Sequence, residues 1–286
     1  MTKLHRFRGA QGQSIVADVL GHGPPVLLAH GGGQTRAAWT KIVGTLAKTG
    51  YQAIAIDMRG HGESEWSPAG AYHFADFAAD LVSICDQLDD KPALVGASLG
   101  GLAGLLAEGE LRPGIFSSLT LVDVTPQLEP QGVAHILGFM QAHLENGFAS
   151  ADEAAAAIGA YLPHRAQRRA SQTLQRYLRK CEDGRLRWHW DPRFVTAANS
   201  QSPHQTSERF SLAARQLRLP VHLIRGASSN LVTEDAARNF LELAPHAAYT
   251  DIAGAGHMVV GDRNDAFSEA IVRFLRGLTS TQLAEA

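Results

Sequence analysis

The chain has 286 residues, of which 45% are hydrophobic and 19% charged, and its formal net charge is -2. These proportions are typical of a globular protein with a sizeable core, built as one large domain or one domain with an insertion. A charge this small gives no sequence-independent attraction to nucleic acid or to an anionic membrane, so we expect a small-molecule partner.

The first strands of the chain are predicted to end at glycine. Residues 14–20 alternate loosely between apolar and polar and predict an edge strand, whereas residues 25–30 are continuously apolar, as in a strand covered on both faces. The second of these strands ends at the stretch 30–33, His-Gly-Gly-Gly. No lysine follows at the spacing of a phosphate-binding loop, so this stretch is better suited to bind an oxyanion.

A predicted helix over 37–48 and a predicted strand over 52–57 lead into a loop, 58–64, that is rich in glycine and charge. Asp57 ends this strand, and His61 lies in the loop. A carboxylate at a strand end, paired with an arginine of such a loop, is more often structural than catalytic, so neither residue is given a role in a reaction. Residues 74–88 then show apolar side chains at helical spacing.

The stretch 92–107 contains a candidate nucleophile. A short apolar run of strand length precedes Ser98, and small apolar residues typical of a buried helix follow it. Gly96 and Gly100 give the G-x-S-x-G spacing, which larger side chains would not allow in so tight a turn. We therefore expect Ser98 in a strained conformation, with the Leu99 amide aimed at the oxygen of the group that the serine attacks.

Residues 119–124 predict another strand, and Asp123 lies at its end. Strands that alternate with helices in this way form a parallel sheet with crossover helices. Ligands of such sheets bind at the carboxyl ends of the strands. The glycine stretch 30–33, Ser98 and Asp123 are all expected at that edge.

This alternation stops in the middle of the chain. We interpret residues 126–215 as an inserted helical cap, and residues 1–125 and 216–286 as the core domain. Helices are predicted over 151–160 and 171–181, with no strand between them. The basic side chains here fit a solvated helix face better than a nucleic-acid site; they are Arg165, Arg168, Arg169, Arg176, Arg179 and Lys180.

Aromatic residues are concentrated near the end of this segment. Trp188 and Trp190 lie in an expected loop, where they either line a pocket with Gly33 or form the core of the cap. Neither His189 nor the pair His135 and His143 has partners at metal-ligand spacing, so no metal site is predicted.

Sheet and helix resume after residue 215. Residues 220–226 predict a strand, a helix begins near Thr233, and residues 247–252 predict the last strand. That strand runs into a glycine-rich loop that contains His257. A closing helix is predicted over 262–278.

The cysteines and the first residues bear on the compartment. Cys85 and Cys181 predict neither a disulfide framework nor a metal cluster, which favours a reducing environment. Residues 1–12 lack the apolar stretch of a secretory signal, and no run of residues approaches membrane-spanning length. We expect a cytoplasmic protein without cofactor, and the sequence leaves open whether it forms homo-oligomers.

The elbow around Ser98, the stretch 30–33, the loop 57–64 and the late Gly256-His257 together resemble the α/β-hydrolase superfamily over nearly the whole chain. This resemblance implies an α/β-hydrolase fold, with a mostly parallel eight-stranded sheet, flanking helices and a helical cap after the sixth strand. It also implies a nucleophile, an acid and a histidine in that chain order.

The resemblance assigns roles to individual residues. Ser98 becomes the nucleophile, His257 the general base, and the amides of Leu99 and Gly32 the oxyanion hole. A serine nucleophile argues against the haloalkane dehalogenase and epoxide hydrolase branches, which use aspartate at that position.

The third catalytic residue departs from the usual pattern. Family members most often place an aspartate after the seventh strand, where this chain has Asn230. Some place the acid after the sixth strand instead, which corresponds to Asp123. Asparagine orients an imidazole without stabilising imidazolium by a full charge. Asp123 is therefore favoured over Asn230 as the partner of His257.

Several reactions are compatible with these residues. The first is hydrolysis of a small, apolar carboxylic ester or lactone through an acyl-enzyme, as in capped esterases and lactonases. The same residues serve carbon-carbon bond hydrolysis or peracid formation. Placement of the acid after the sixth strand also occurs in cofactor-independent dioxygenases, and the altered acid position is compatible with a ligand-binding relative without activity.

Overall fold

The computed structural model describes residues 2–161, 177–256 and 264–284. The strands are β1 (Lys3–Arg8), β2 (Ser14–Leu20), β3 (Pro25–Ala29), β4 (Gln52–Ile56), β5 (Ala93–Ala97), β6 (Ser118–Val122), β7 (Leu178–Lys180), β8 (Leu186–Trp188), β9 (Val221–Gly226) and β10 (Ala248–Ile252). The α-helices are α1 (Thr40–Lys48), α2 (Phe74–Cys85), α3 (Leu99–Leu106), α4 (Pro130–Ala142), α5 (Ala151–Tyr161), α6 (Pro192–Asn199), α7 (Pro203–Gln216), α8 (Glu234–Leu243) and α9 (Asn264–Ala284). A 3-10 turn, Arg36–Trp39, precedes α1, and a π-helical turn, Ala107–Leu111, extends α3.

The predicted eight-stranded, mostly parallel sheet is confirmed. Its strand order is β1-β2-β4-β3-β5-β6-β9-β10. β2 runs antiparallel to both of its neighbours, and the pairs from β4 to β10 are parallel. β1 was not predicted, because Phe7 is the one buried residue of this edge strand and no apolar alternation results.

Both faces of the sheet are covered. Side chains of β3 alternate between two apolar cores: Leu27 belongs to the core shared with α2 and α3, whereas Val26 and Leu28 belong to the core shared with α1 and α9. Because both faces are buried, the strand reads as a continuous apolar run. No helix within the described ranges is both long enough and apolar enough to cross a bilayer.

Strand register places the predicted site residues at one edge. Ala97, the last residue of β5, pairs with Val122, the last residue of β6. Ser98 and Asp123 are the next residues of these two strands and are therefore neighbours at the carboxyl edge of the sheet.

Residues 126–215, the cap segment, contain strands that the sequence did not predict. β7 and β8 pair antiparallel, with Leu178 opposite Trp188. The helix predicted over 171–181 is therefore wrong at Leu178–Lys180, and residues 162–176, including Arg165, Arg168, Arg169 and Arg176, lie outside the described residues. The turn between the strands contains Asp183 and Gly184, whose φ is +77°, a sequence that favours hairpins.

Candidate active site

Ser98 occupies a strained turn between β5 and α3. Its φ is 46° and its ψ is -113°, in a region that non-glycine residues rarely adopt. A Cβ on Gly96 would come within 2.5 Å of the Gly100 carbonyl oxygen, and a Cβ on Gly100 would overlap the Ala29 carbonyl oxygen. The two glycines thus allow the backbone conformation that their spacing predicts.

The start of α3 supplies one amide beside Ser98 that donates to no residue in the described ranges. Leu99 is the first residue of the helix, so its N–H has no partner within the helix. The next amide, that of Gly100, already donates to the His30 carbonyl oxygen over 3.2 Å. The Leu99 N–H is therefore the donor of this turn that is available to a bound oxyanion.

The glycine stretch 30–33 supplies a second donor. The Gly31 N–H donates to Gln34 Oε1 over 3.1 Å, and the Gly33 N–H donates to His61 Nε2 over 3.1 Å. Between them, the Gly32 N–H donates to no other residue in the described ranges. A Cβ on Gly31 would lie 3.3 Å from Ser98 Cβ, so this stretch lies directly against the serine.

Ser98 opens onto an apolar cavity of about 1250 Å³ between the sheet edge and the cap segment. Ser98, Leu99, Gly32 and Gly33 form part of its wall. Trp188 and Trp190, stacked 4.8 Å apart, contribute aromatic wall and are themselves buried. The two indoles thus contact the cavity and the core of the cap segment at once. Further aromatic and aliphatic lining comes from Leu102, Val122, Phe139, Met140, Tyr161 and Phe194.

Asp123 is buried, and its carboxylate is held by the last residue of β9 and by the segment that follows it. Its Oδ1 accepts from the Gly226 N–H over 2.9 Å, and its Oδ2 accepts from the Ser229 hydroxyl over 2.7 Å. Asn230, in the same segment, is exposed. His257, the predicted general base, lies outside the described residues.

Ser229 is a site residue that the sequence did not predict. Its hydroxyl oxygen accepts from the N–H groups of Leu231 and Val232, each over 3.1 Å, while the hydroxyl donates to Asp123. Serine in such a turn is a recognisable local signal, but its long-range partner is not encoded in the adjacent residues.

A family model described as the alpha/beta hydrolase fold matches residues 24–263. The chain belongs to the α/β-hydrolase family. This α/β hydrolase is similar to the esterase Rv0045c of Mycobacterium tuberculosis, with 27% identity over 273 residues that cover 92% of this chain and 85% of that protein. It is also similar to 2-hydroxy-6-oxo-6-(2'-aminophenyl)hexa-2,4-dienoic acid hydrolase of Metapseudomonas resinovorans, with 25% identity over 297 residues that cover 95% of this chain and 91% of that one.

Solved structures agree on the fold of this α/β hydrolase. The crystal structure of E-2-(acetamidomethylene)succinate hydrolase superposes with a TM-score of 0.84 at 23% identity, covering 96% of this chain and 100% of the other. Relatives at low identity thus include an esterase and hydrolases named for other substrates.

Three buried histidines cluster at the glycine stretch of this α/β hydrolase: His30 begins the stretch, and His61 and His189 contact it. The ring centroids of His30 and His61 lie 5.2 Å apart, and those of His61 and His189 lie 5.9 Å apart. Burial lowers the pKa of each to about 3, so the rings are neutral near pH 7.

Each of these rings bonds to the backbone through both of its nitrogens. One nitrogen accepts from an N–H group and the other donates to a carbonyl oxygen, which fixes the tautomer. The accepted N–H groups belong to Met58, Gly33 and Gly62, and the carbonyl oxygens belong to Gly31, Arg59 and Gly33. With both nitrogens of each ring engaged, these histidines hold backbone; in the part of the chain that is described, no three side chains form a metal site.

Asp57 has the surroundings of a structural carboxylate, but its predicted partner in the following loop was wrong. It accepts from the Arg36 N–H over 2.7 Å and forms an ion pair with the Arg36 guanidinium. Arg59, the arginine of the loop, instead forms a two-pronged ion pair with Asp80, with both bonds at 2.6 Å. Asp80 comes from α2, a partner that only the tertiary fold brings within reach.

Proposed function

We propose that this α/β hydrolase cleaves apolar carboxylic esters or lactones through an acyl-enzyme on Ser98. The observation that carries the proposal is the strained serine, with φ 46°, at the wall of an apolar cavity and beside the amides of Leu99 and Gly32. A hydroxyl so placed attacks a carbonyl carbon while two N–H groups stabilise the developing oxyanion. Each such donor contributes roughly 3 kcal/mol to lowering the barrier.

In the proposed reaction, His257 takes the Ser98 proton as Oγ attacks the carbonyl. The tetrahedral intermediate collapses, the alcohol oxygen leaves with the proton returned by His257, and the acyl group stays on Ser98. Water, deprotonated by the same histidine, then releases the acid and regenerates the serine.

Asp123 is the proposed partner of His257. Support comes from its burial, from its strand position next to that of Ser98, and from the two hydrogen bonds, from Gly226 and Ser229, that fix its carboxylate. Asn230 is exposed, which is unfavourable for a residue that must orient a catalytic imidazole.

The cavity favours a bulkier substrate than the small ester expected from the sequence. At about 1250 Å³ it exceeds the usual range for ligand pockets, roughly 300–1000 Å³. Residues 126–215, proposed as a cap domain over the core of residues 1–125 and 216–286, supply the aromatic wall, including Trp188 and Trp190. We therefore expect rates to rise with the apolar size of the acyl or alcohol group.

Carbon-carbon bond hydrolysis is the second candidate function. It would use the same serine, histidine and oxyanion donors, and the 25% identical hydrolase of Metapseudomonas resinovorans covers 95% of this chain. A meta-cleavage product is the substrate that distinguishes it from an ester.

The purified chain, assayed with p-nitrophenyl esters of increasing chain length and with a meta-cleavage product, tests the proposal. We expect ester hydrolysis, labelling of Ser98 by a fluorophosphonate, and a loss of kcat of at least about a thousandfold in Ser98→Ala. Ser117→Ala, at an exposed serine, is the matched control. Cleavage of the meta-cleavage product alone would support the second candidate, oxygen uptake with a hydroxyquinolone would indicate a dioxygenase, and an unlabelled Ser98 would indicate a binding protein.

A further inference from the structure

Gly33, the residue after the proposed oxyanion donor Gly32, is held from two sides. Its N–H donates to His61 Nε2 over 3.1 Å, and its carbonyl oxygen accepts from His189 Nε2 over 3.3 Å. Gly33 has a φ of +74°. Because glycine populates many backbone conformations, consecutive glycines keep a single one only where such contacts fix them.

The hydrogen bonds of His189 define its tautomer. The Gly62 N–H donates to Nδ1 over 2.7 Å, so Nδ1 carries no proton and Nε2 carries the one that is given to Gly33. The ring is buried, with 7% of the residue exposed. Burial also lowers its pKa to about 3, so the ring is neutral near pH 7.

His189 belongs to the cap segment, 156 positions from Gly33 in sequence. Its chain neighbours Trp188 and Trp190 line the cavity. Phe194, four residues after Trp190, makes an edge contact with the His61 ring, with 4.9 Å between ring centroids. The Phe194 ring also packs on Gly32, where an added Cβ would lie 3.1 Å from Phe194 Cζ. One short stretch of the cap segment therefore contacts both the substrate cavity and the glycine stretch.

We propose that His189 is a positioning residue that holds the Gly32 amide in the oxyanion hole through its bond to Gly33. The cap segment then sets the rate of acyl transfer in addition to shaping the cavity. This inference rests on the proposed ester hydrolysis at Ser98. Displacing an oxyanion donor by a fraction of an ångström is expected to lower kcat about tenfold to a hundredfold.

Two substitutions separate the two bonds of His189. In His189→Asn, the amide oxygen can take the place of Nδ1 and accept from Gly62, but nothing reaches the Gly33 carbonyl. In His189→Gln, the longer side chain can place an amide N–H near the position of Nε2 and donate to Gly33. His143→Asn is the matched control, because His143 is a histidine of the cap segment that packs on Phe148, away from the cavity wall.

The measurements are kcat and KM for a p-nitrophenyl ester, normalised to Ser98 titrated with a fluorophosphonate, and Ki for a trifluoromethyl ketone, whose adduct places an oxyanion in the hole. We expect His189→Asn to lower kcat and to raise Ki by similar factors of about ten to a hundred, with KM little changed. His189→Gln should remain within about threefold of the parent chain, and His143→Asn should match it.

Unchanged kcat and Ki per titrated serine in His189→Asn would overturn the inference. The same holds if the variant loses activity only because a smaller fraction of the protein has a Ser98 that can be titrated. Should His189→Asn not fold, His189→Gln decides: wild-type kcat and Ki support the inference, and a loss equal to that of an oxyanion-donor deletion overturns it. A parent chain that neither hydrolyses esters nor reacts at Ser98 would overturn the proposed function and, with it, this inference.

Discussion

At the scale of single residues, backbone strain is concentrated at two neighbouring positions. Within the described ranges, Ser98 and Asp123 are the non-glycine residues with positive φ, at 46° and 49°. Such conformations cost about 1–3 kcal/mol each and persist only where the surrounding structure enforces them. Both follow the last paired residues of adjacent parallel strands, so two polar residues occupy neighbouring positions at the carboxyl edge of the sheet.

Substitution of the proposed acid tests this pairing. Asp123→Asn is expected to lower kcat/KM by about 10⁴, because a neutral amide neither selects the required tautomer of the imidazole nor stabilises its charged form. Steady-state kinetics on an ester checks this. Asn230→Asp, at an exposed position, should stay close to the parent; an unchanged Asp123→Asn enzyme would remove Asp123 from the mechanism.

At the scale of secondary-structure elements, the junction of β5 and α3 depends on the absence of a side chain. Gly100→Ala is expected to destabilise the fold by roughly 3 kcal/mol, since the added methyl overlaps the Ala29 carbonyl oxygen of β3 and backbone does not yield. Gly44→Ala is the matched control in α1, where an added Cβ meets nothing within 4 Å, and should stabilise by about 0.5–1 kcal/mol. Urea unfolding of both variants measures the difference; equal effects would mean that the close contact is unimportant.

The elements that the sequence predicts are those with local signals. The sheet strands between residues 25 and 124 are mostly buried apolar runs, and the Ser98 elbow is defined by glycines two positions away on each side. The hairpin of β7 and β8 was not predicted because its strands are short and basic side chains interrupt them. Ser229 and His189 acquire their roles from partners more than a hundred positions away, and no local pattern marks such pairs.

At the scale of the whole molecule, buried neutral histidines make the fold sensitive to acid. Burial lowers the pKa of His222 to about 4 and that of His30, His61 and His189 to about 3, against 6.5 for an unperturbed histidine. Between pH 6.5 and those values the unfolded chain binds more protons than the folded one. The contribution of these histidines to stability is therefore fully present above pH 6.5 and is lost as the pH falls through this window.

Removing one of these histidines should reduce the acid sensitivity by a fixed amount. Away from the cavity, His222 bonds through Nε2 to Thr250 Oγ1 and packs on Phe274. Between pH 6 and 4.5, the free energy of unfolding of His222→Gln should fall less steeply with decreasing pH than that of the parent chain. The difference in slope should be about 1.4 kcal/mol per pH unit. Urea titrations across this range, with His22→Gln as the exposed reference, measure the slope; identical slopes in both variants would contradict the assignment.

Hydrogen bonds join the cap segment to residues 60–72, and they matter for the exchange of this segment between relatives. Asp191, the N-cap of α6, accepts from the Tyr72 hydroxyl over 2.7 Å, and its own N–H donates to the Gly60 carbonyl oxygen over 2.9 Å. Arg193 donates to the Ser67 carbonyl oxygen over 2.8 Å. In a chimera that takes only residues 126–215 from a relative, the Tyr72 hydroxyl and the carbonyl oxygens of Gly60 and Ser67 would lose these hydrogen-bond partners. We therefore expect residues 58–72 and residues 126–215 to be exchangeable only as one unit, so a graft that alters specificity should transplant both together.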